Sequence, residues 1–164
     1  MTINESLIAE IKHEAANTRK MLELIPAEHF DYKPHEKSMS LKALSTHIAD
    51  LFGWPAVVLL NDKLDFQSGI LKNAEINSTQ DLLNHLDEEV NASIAALTNA
   101  EASSFGQNWI LCSGDYVIVD MPRAAVIRSV CLSHIYHHRG QLSVYLRLLN
   151  VPVPGMYGPS ADEM

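Results

Sequence analysis

The sequence predicts an all-α fold, a four-helix bundle with a small β-hairpin between helices 3 and 4. Three observations carry that expectation. Four stretches repeat apolar residues at steps of three and four. Proline and turn residues separate them. One short segment before the last helix has strand character instead. At 164 residues the chain is expected to form a single domain over 1–164, long enough to bury a core without disulfides or a structural metal.

The first helix is expected from about Ile3 to Ile25, with Leu7, Ile11, Ala15, Thr18, Leu22 and Ile25 in its stripe and Pro26 at its end. A polar loop with Pro34 leads to Ser38 or Ser40, either of which can cap a second helix over about Leu41 to Leu60. Its stripe includes Leu44, His47, Ile48 and Leu51, and Pro55 is expected to bend it or close its regular part. A loop follows. Ser78-Thr79-Gln80-Asp81 then resembles a capping box and opens a third helix to about Ala102, with Leu83, Leu86, Val90, Ile94 and Leu97 on one face. Trp109–Cys112 and Tyr116–Val119 flank Ser113-Gly114-Asp115, a hairpin signal. Asp120 and Pro122 are expected to start the fourth helix, which continues to about Leu149 before Asn150, Pro152 and Pro154. The remaining tail mixes apolar and turn residues, as an ordered return over the helices would.

Composition narrows the function. The formal net charge is −8, and Lys and Arg are scattered singly, which argues against nucleic acid and against an anionic membrane surface as partners. Cys112 and Cys131 form no CxxC pair and no secretory framework. The start of the chain carries no basic or apolar signal pattern, and no apolar run reads as a span. The expectation is a cytoplasmic protein with reduced thiols.

The most informative feature is the pair His134 and His138, four residues apart on the last helix. Residues at that spacing project from one face, one turn apart, and two imidazoles there can grip one transition-metal ion. Ile127, Cys131, Leu142 and Tyr145 fall on the same face, so the pair points to a core or cleft. The bland alternative is two histidines hydrogen bonded in a polar layer. No Glu follows His134, which excludes the HExxH pattern of zinc proteases. His47 sits on the apolar stripe of the second helix, where a histidine is ordinarily a satisfied core residue. Facing helices of a bundle can nevertheless pool side chains into one site, and three histidines would leave a coordination position open.

Several neighbours are candidates for supporting or substrate contacts. Gln141 and Tyr145 continue the face beyond His138, and Asp50 lies one turn after His47. His137 is rotated off the pair's face. Cys131 shares it but reads as a small buried residue. Gly140, mid-helix, costs about 1 kcal/mol relative to alanine, which close approach of another backbone or ligand access would offset. Trp54, Trp109, Tyr116 and Tyr157 read as packing.

The ordered set Ser40-Leu-Lys-Ala-Leu-Ser-Thr-His47, Asp31-Tyr32-Lys33-Pro34, His134-Ile-Tyr-His137-His138-Arg-Gly-Gln141-Leu and Pro154-Gly-Met-Tyr157-Gly-Pro resembles the DinB-like family of damage-inducible, YfiT-type bundle proteins over nearly the whole chain. The resemblance implies a divalent metal, nickel or zinc, held by His47, His134 and His138, and a homodimer. It also implies a metal-dependent enzyme that activates a low-molecular-weight thiol or water for transfer or hydrolysis on a small-molecule substrate. The reading of different class is a non-catalytic metal-binding or stress-associated bundle protein.

Overall fold

The structure is a computed structural model describing residues 1–69 and 74–164. It is mostly helical. Helices α1 (Ile3–Leu22), α2 (Leu41–Leu60) and α3 (Thr79–Asn99) precede a small sheet, and α4 (Arg123–Val126), a π segment (Ile127–Leu132) and α5 (Ser133–Leu148) form one continuous run after it. Short 3-10 turns occupy Ala27–His29, Phe66–Ser68 and Ala102–Gly106.

Side-chain caps explain the helix starts. Thr2 and Glu5 form a reciprocal capping box on α1. Ser40, not Ser38, caps α2 by accepting from the Ala43 N–H at 3.1 Å. Ser78 caps α3 by accepting from the Asp81 N–H at 3.1 Å. Helix α1 stops at Leu22, a turn before the expected Ile25, although Ile25 is still buried.

Helix α2 is the core element, with Leu41, Leu44, Ile48, Leu51, Phe52 and Val58 buried. By length and composition alone it could cross a membrane, but 61% of its most apolar window is buried inside the protein. It packs against α3 on one side and α5 on another. Pro55 does not end it; the helix runs on to Leu60. Ser93 of α3 supplies the reason. Its hydroxyl accepts from the Ala56 N–H at 3.2 Å and donates to the Phe52 carbonyl at 2.5 Å. The hydroxyl thus sits between a donor and an acceptor four residues apart, beside the proline. An unpaired buried amide there would cost about 1–3 kcal/mol.

The sheet has three strands in the order β1 (Lys63–Asp65), β2 (Asn108–Ser113), β3 (Tyr116–Pro122). The expected hairpin is β2–β3, turning at Gly114 with φ of +58°. The parallel strand β1 is additional; its Leu64 is buried against Leu111. The expected loop after α2 contains this strand, and its positions 70–73 lie outside the described residues. The last helix also starts later than expected. Asp120 stays in β3 opposite Ile110, and Asn108 pairs with Pro122, so helix begins only at Arg123. Strand pairing outcompetes the local start signal here.

The tail folds back. Val151, Val153 and Met156 pack on the core, and Asp162 joins Arg147 at 2.7 Å and accepts from the Val153 N–H at 2.8 Å.

Candidate metal centre

The π segment sets the direction of the histidine pair. Arg123, Ile127 and Ile135 are all buried, at 5%, 0% and 0% exposure. On an unbroken α-helix, at about 100° per residue, Arg123 and Ile127 would stand about 120° and 80° from Ile135. The surplus residue of a π turn takes out about 100° and brings both to within about 20°. The front of the run can therefore be anchored while its rear faces α2. Arg123 is that anchor. Its guanidinium donates to the Val58 carbonyl at 2.9 Å and the Asn61 carbonyl at 3.3 Å, and pairs with Asp62 at 2.9 Å. A cation on the last carbonyls of α2 is also favoured by the helix dipole.

Beyond the π segment, His134 and His138 meet His47 of α2. The His134 and His138 Nε2 atoms stand 2.8 Å apart, and those of His47 and His134 stand 3.5 Å apart. One donor atom from each of the three residues lies within 4.8 Å of the others. The geometry fits a metal. Three imidazole nitrogens at about 2.1 Å from a tetrahedral ion would be separated by about 3.4 Å. The ring orientations also fit. His138 Nδ1 stands 2.7 Å from Gln141 Oε1, so that nitrogen donates to the amide and Nε2 keeps its lone pair. His134 is hydrogen bonded to the Val130 carbonyl, again leaving Nε2 toward its partners. Burial and the neighbouring His138 lower the pKa of His47. The same causes, with His47 added, push His134 down to about 4. Both are neutral at pH 7, as metal ligands must be.

Every residue singled out in the sequence has a definite place. Gln141 bridges His138 and His137, its amide nitrogen 3.0 Å from His137 Nε2. Tyr145 is buried and its hydroxyl donates to the Met39 carbonyl at 3.1 Å. Asp50 stands 2.6 Å from His85 of α3, while its charge acts on His47 through space. Cys131 is fully buried, and desolvation pushes its thiol pKa upward, so it stays protonated. The Trp54 ring stands edge-on to His134, with the ring centroids 6.4 Å apart. Gly140 borders open space; a Cβ there would meet nothing within 4 Å.

Two polar clusters beside the site were not anticipated. The one sequence signal at His85 is its i,i+4 spacing to Glu89; its nearer partner, Asp50, comes from α2. Gly53 makes room there, as a Cβ at that position would collide with the Glu89 carboxylate. The second cluster is Arg139, paired with Glu14 of α1 at 2.6 Å. Arg139 lies four residues after Ile135 and three before Leu142, on the apolar stripe. A charge at that position was a legible sign of a buried ion pair.

A mostly helical protein with a small sheet and three converging imidazoles on two helices is the class that fold and site define. The DinB family model matches residues 1–164, and the chain belongs to the DinB family. It is 25% identical over 150 residues to the uncharacterized protein YrdA of Bacillus subtilis, covering 92% of this chain and 85% of that one. Among solved structures it superposes on the DinB-like protein YjoA of B. subtilis with a TM-score of 0.73 at 20% identity, covering 92% and 97% of the two chains. A DinB-like protein of Bacillus cereus gives 0.69 at 18% identity, covering 93% and 97%. These likenesses bear on the fold.

Proposed function

We propose that the protein is a metal-dependent enzyme of four-helix-bundle type, holding one divalent ion, nickel or zinc, through His47, His134 and His138. The observation that carries this reading is the convergence of three Nε2 atoms, two of them oriented by hydrogen bonds from the opposite side of the ring. An ion bound by three protein ligands keeps a position open, where it lowers the pKa of a small thiol or of water for transfer or hydrolysis. The chain's own contribution is orientation. Gln141 fixes the His138 ring, and Trp54 stands edge-on to the His134 ring. The reading extends to a homodimer, for which the exposed Val117 of β3 and the open face at Gly140 are the available surfaces.

One observation favours a second reading, metal binding without turnover. Asp50, the carboxylate whose charge reaches His47, is already hydrogen bonded to His85 and is poorly placed to act as a general base. The test has two stages. Elemental analysis of protein purified without added metal is expected to show one nickel or zinc per chain; a metal-free protein that also fails to bind either ion in titration overturns both readings. Turnover with a panel of low-molecular-weight thiols and electrophiles then decides between them.

A further inference from the structure

We propose that the cleft leading away from His138 binds the non-reacting part of a substrate with an apolar body and a terminal carboxylate, and that Lys37 recognises the carboxylate. The cleft rests on the metal-centre reading only for its direction, with the reacting end toward His138.

The cleft has a volume of about 410 Å³ and runs between α5 and the loop before α2. That is the small end of the range for ligand pockets. His138 and Gln141 stand at one end and Lys37 lines the loop side. Apart from Ser38, the rest of the lining is apolar: Met39, Leu44, Val144 and the Tyr145 ring. Leu44 and Tyr145 are buried and hold their positions. The loop wall is held too. Tyr145 pins it through the Met39 carbonyl, and the Leu41 and Lys42 N–H groups donate to the Tyr32 and Phe30 carbonyls at 2.8 and 2.9 Å. The cleft is therefore preformed. Met39 and Val144 leave large apolar side chains open to solvent at its rim, at 39% and 55% exposure, where an apolar ligand would cover them.

Charge selects the ligand's other end. The chain carries 20 acidic against 12 basic residues, yet the cleft lining includes no carboxylate, and its one formal charge is Lys37. Among the described residues no acid pairs with Lys37. A second cavity of about 410 Å³ on α3 shows the contrast, since Glu75, Asp81, Glu88 and Glu89 line it and would repel an anion. Of the two, only the cleft beside the triad suits an amphipathic anion.

The probes are 4-phenylbutanoate and its neutral amide, titrated into the full-length protein in zinc-loaded and chelated forms. Backbone amide chemical shifts of Met39, Leu44 and Val144 give the binding constants. The acid is expected to bind about fivefold more tightly than the amide, in both forms, as suits an exposed ion pair. In Lys37→Met that preference should fall to about one while the amide binds as before, and Lys37→Glu should reverse it. Equal binding of acid and amide by the unaltered protein overturns the proposal, as does a preference that survives Lys37→Met. A preference seen only with zinc also overturns it, by assigning carboxylate recognition to the ion. If the preference follows Lys37 but zinc does not bind, the cleft stands and the metal-centre reading falls.

Discussion

His138 and Arg139 are consecutive on α5, yet they enter two polar clusters of opposite kind, one half-buried and one buried. Arg139 turns toward α1. Its guanidinium meets Glu14 Oε2 at 2.6 Å, the Thr18 hydroxyl at 3.2 Å and the Glu14 carbonyl at 3.3 Å, and donates to the Tyr157 hydroxyl. Tyr157 in turn donates to Glu14 at 2.9 Å. Donors meet acceptors throughout, and none of the cluster's buried side-chain atoms is without a partner. His138 turns toward α2, where three ring nitrogens converge. The His134 and His138 rings, each hydrogen bonded on its opposite side, turn lone pairs toward one another, and a cation is what such a set lacks. A closed cluster holds the fold, whereas an open one is poised for a ligand.

The largest effect is expected from breaking the closed cluster. Arg139→Met leaves the Glu14 carboxylate, 4% exposed, buried without its cation. Loss of one partner of a buried pair costs about 3–5 kcal/mol, which for a chain of this length is a fall in Tm of about 10 °C or more. The double variant Arg139→Met with Glu14→Leu should recover much of that loss. Thermal unfolding of the chelated proteins measures both. A single variant as stable as the parent would mean that the pair contributes nothing net.

The open cluster should behave in the opposite way. His134→Ala and His138→Ala are each expected to reduce metal content at least tenfold, measured by elemental analysis, while the chelated variants keep their helical circular dichroism. Gln141→Leu should weaken zinc binding by about tenfold, the usual cost of losing a group that orients a ligand. Helical signal that collapses on chelation of the parent would make the metal structural and erase the contrast with Arg139.

The same contrast explains what the sequence revealed. The pair at 134 and 138 was legible because i,i+4 spacing and an apolar stripe are local properties. His47 was legible as a polar residue on an apolar stripe, and the family resemblance supplied its link to the pair. The π turn was not legible, because its Ile127–Cys131 spacing also suits an ordinary α-helix, and the surplus residue shows only once Arg123 and Ile135 are known to share a buried side. Strand β1 is three residues long with one buried position, too short to show periodicity. Helix continuity past Pro55 depends on Ser93, 38 residues away, and Arg139's partners come from both ends of the chain. What escaped the sequence was either too short or local an irregularity to show in a periodicity, or a contact made across the fold.

A smaller effect probes the polar cluster between α2 and α3. The hydrogen bond to Asp50 raises the His85 pKa above its ordinary value, with Glu89 and Glu88 adding to it and burial opposing. A raised histidine pKa contributes stability that is fully present below about pH 6.5 and is lost as pH rises through the folded-state pKa. Asp50→Asn should lower the His85 pKa, read from its ring proton shifts, and flatten stability against pH in that window. An unchanged His85 titration would show that the 2.6 Å contact does not persist in solution.

The smallest expected change tests why α5 tolerates a glycine next to its two clusters. A Cβ at Gly140 meets nothing within the protomer, so packing in one chain gives no reason for the residue. Intrinsic helix propensity favours alanine there by about 1 kcal/mol. If the protein is a monomer, Gly140→Ala should raise Tm by a few degrees and leave metal content unchanged. If Gly140 lies in a two-fold contact between helices, the added methyl group separates the mates. Light scattering at micromolar concentration should then show the parent as a dimer and the variant shifted toward the monomer. A parent that is monomeric throughout rejects the dimer reading. A dimer unaffected by the substitution moves the interface elsewhere, with the exposed β3 residues Tyr116, Val117 and Ile118 as the next surface to test.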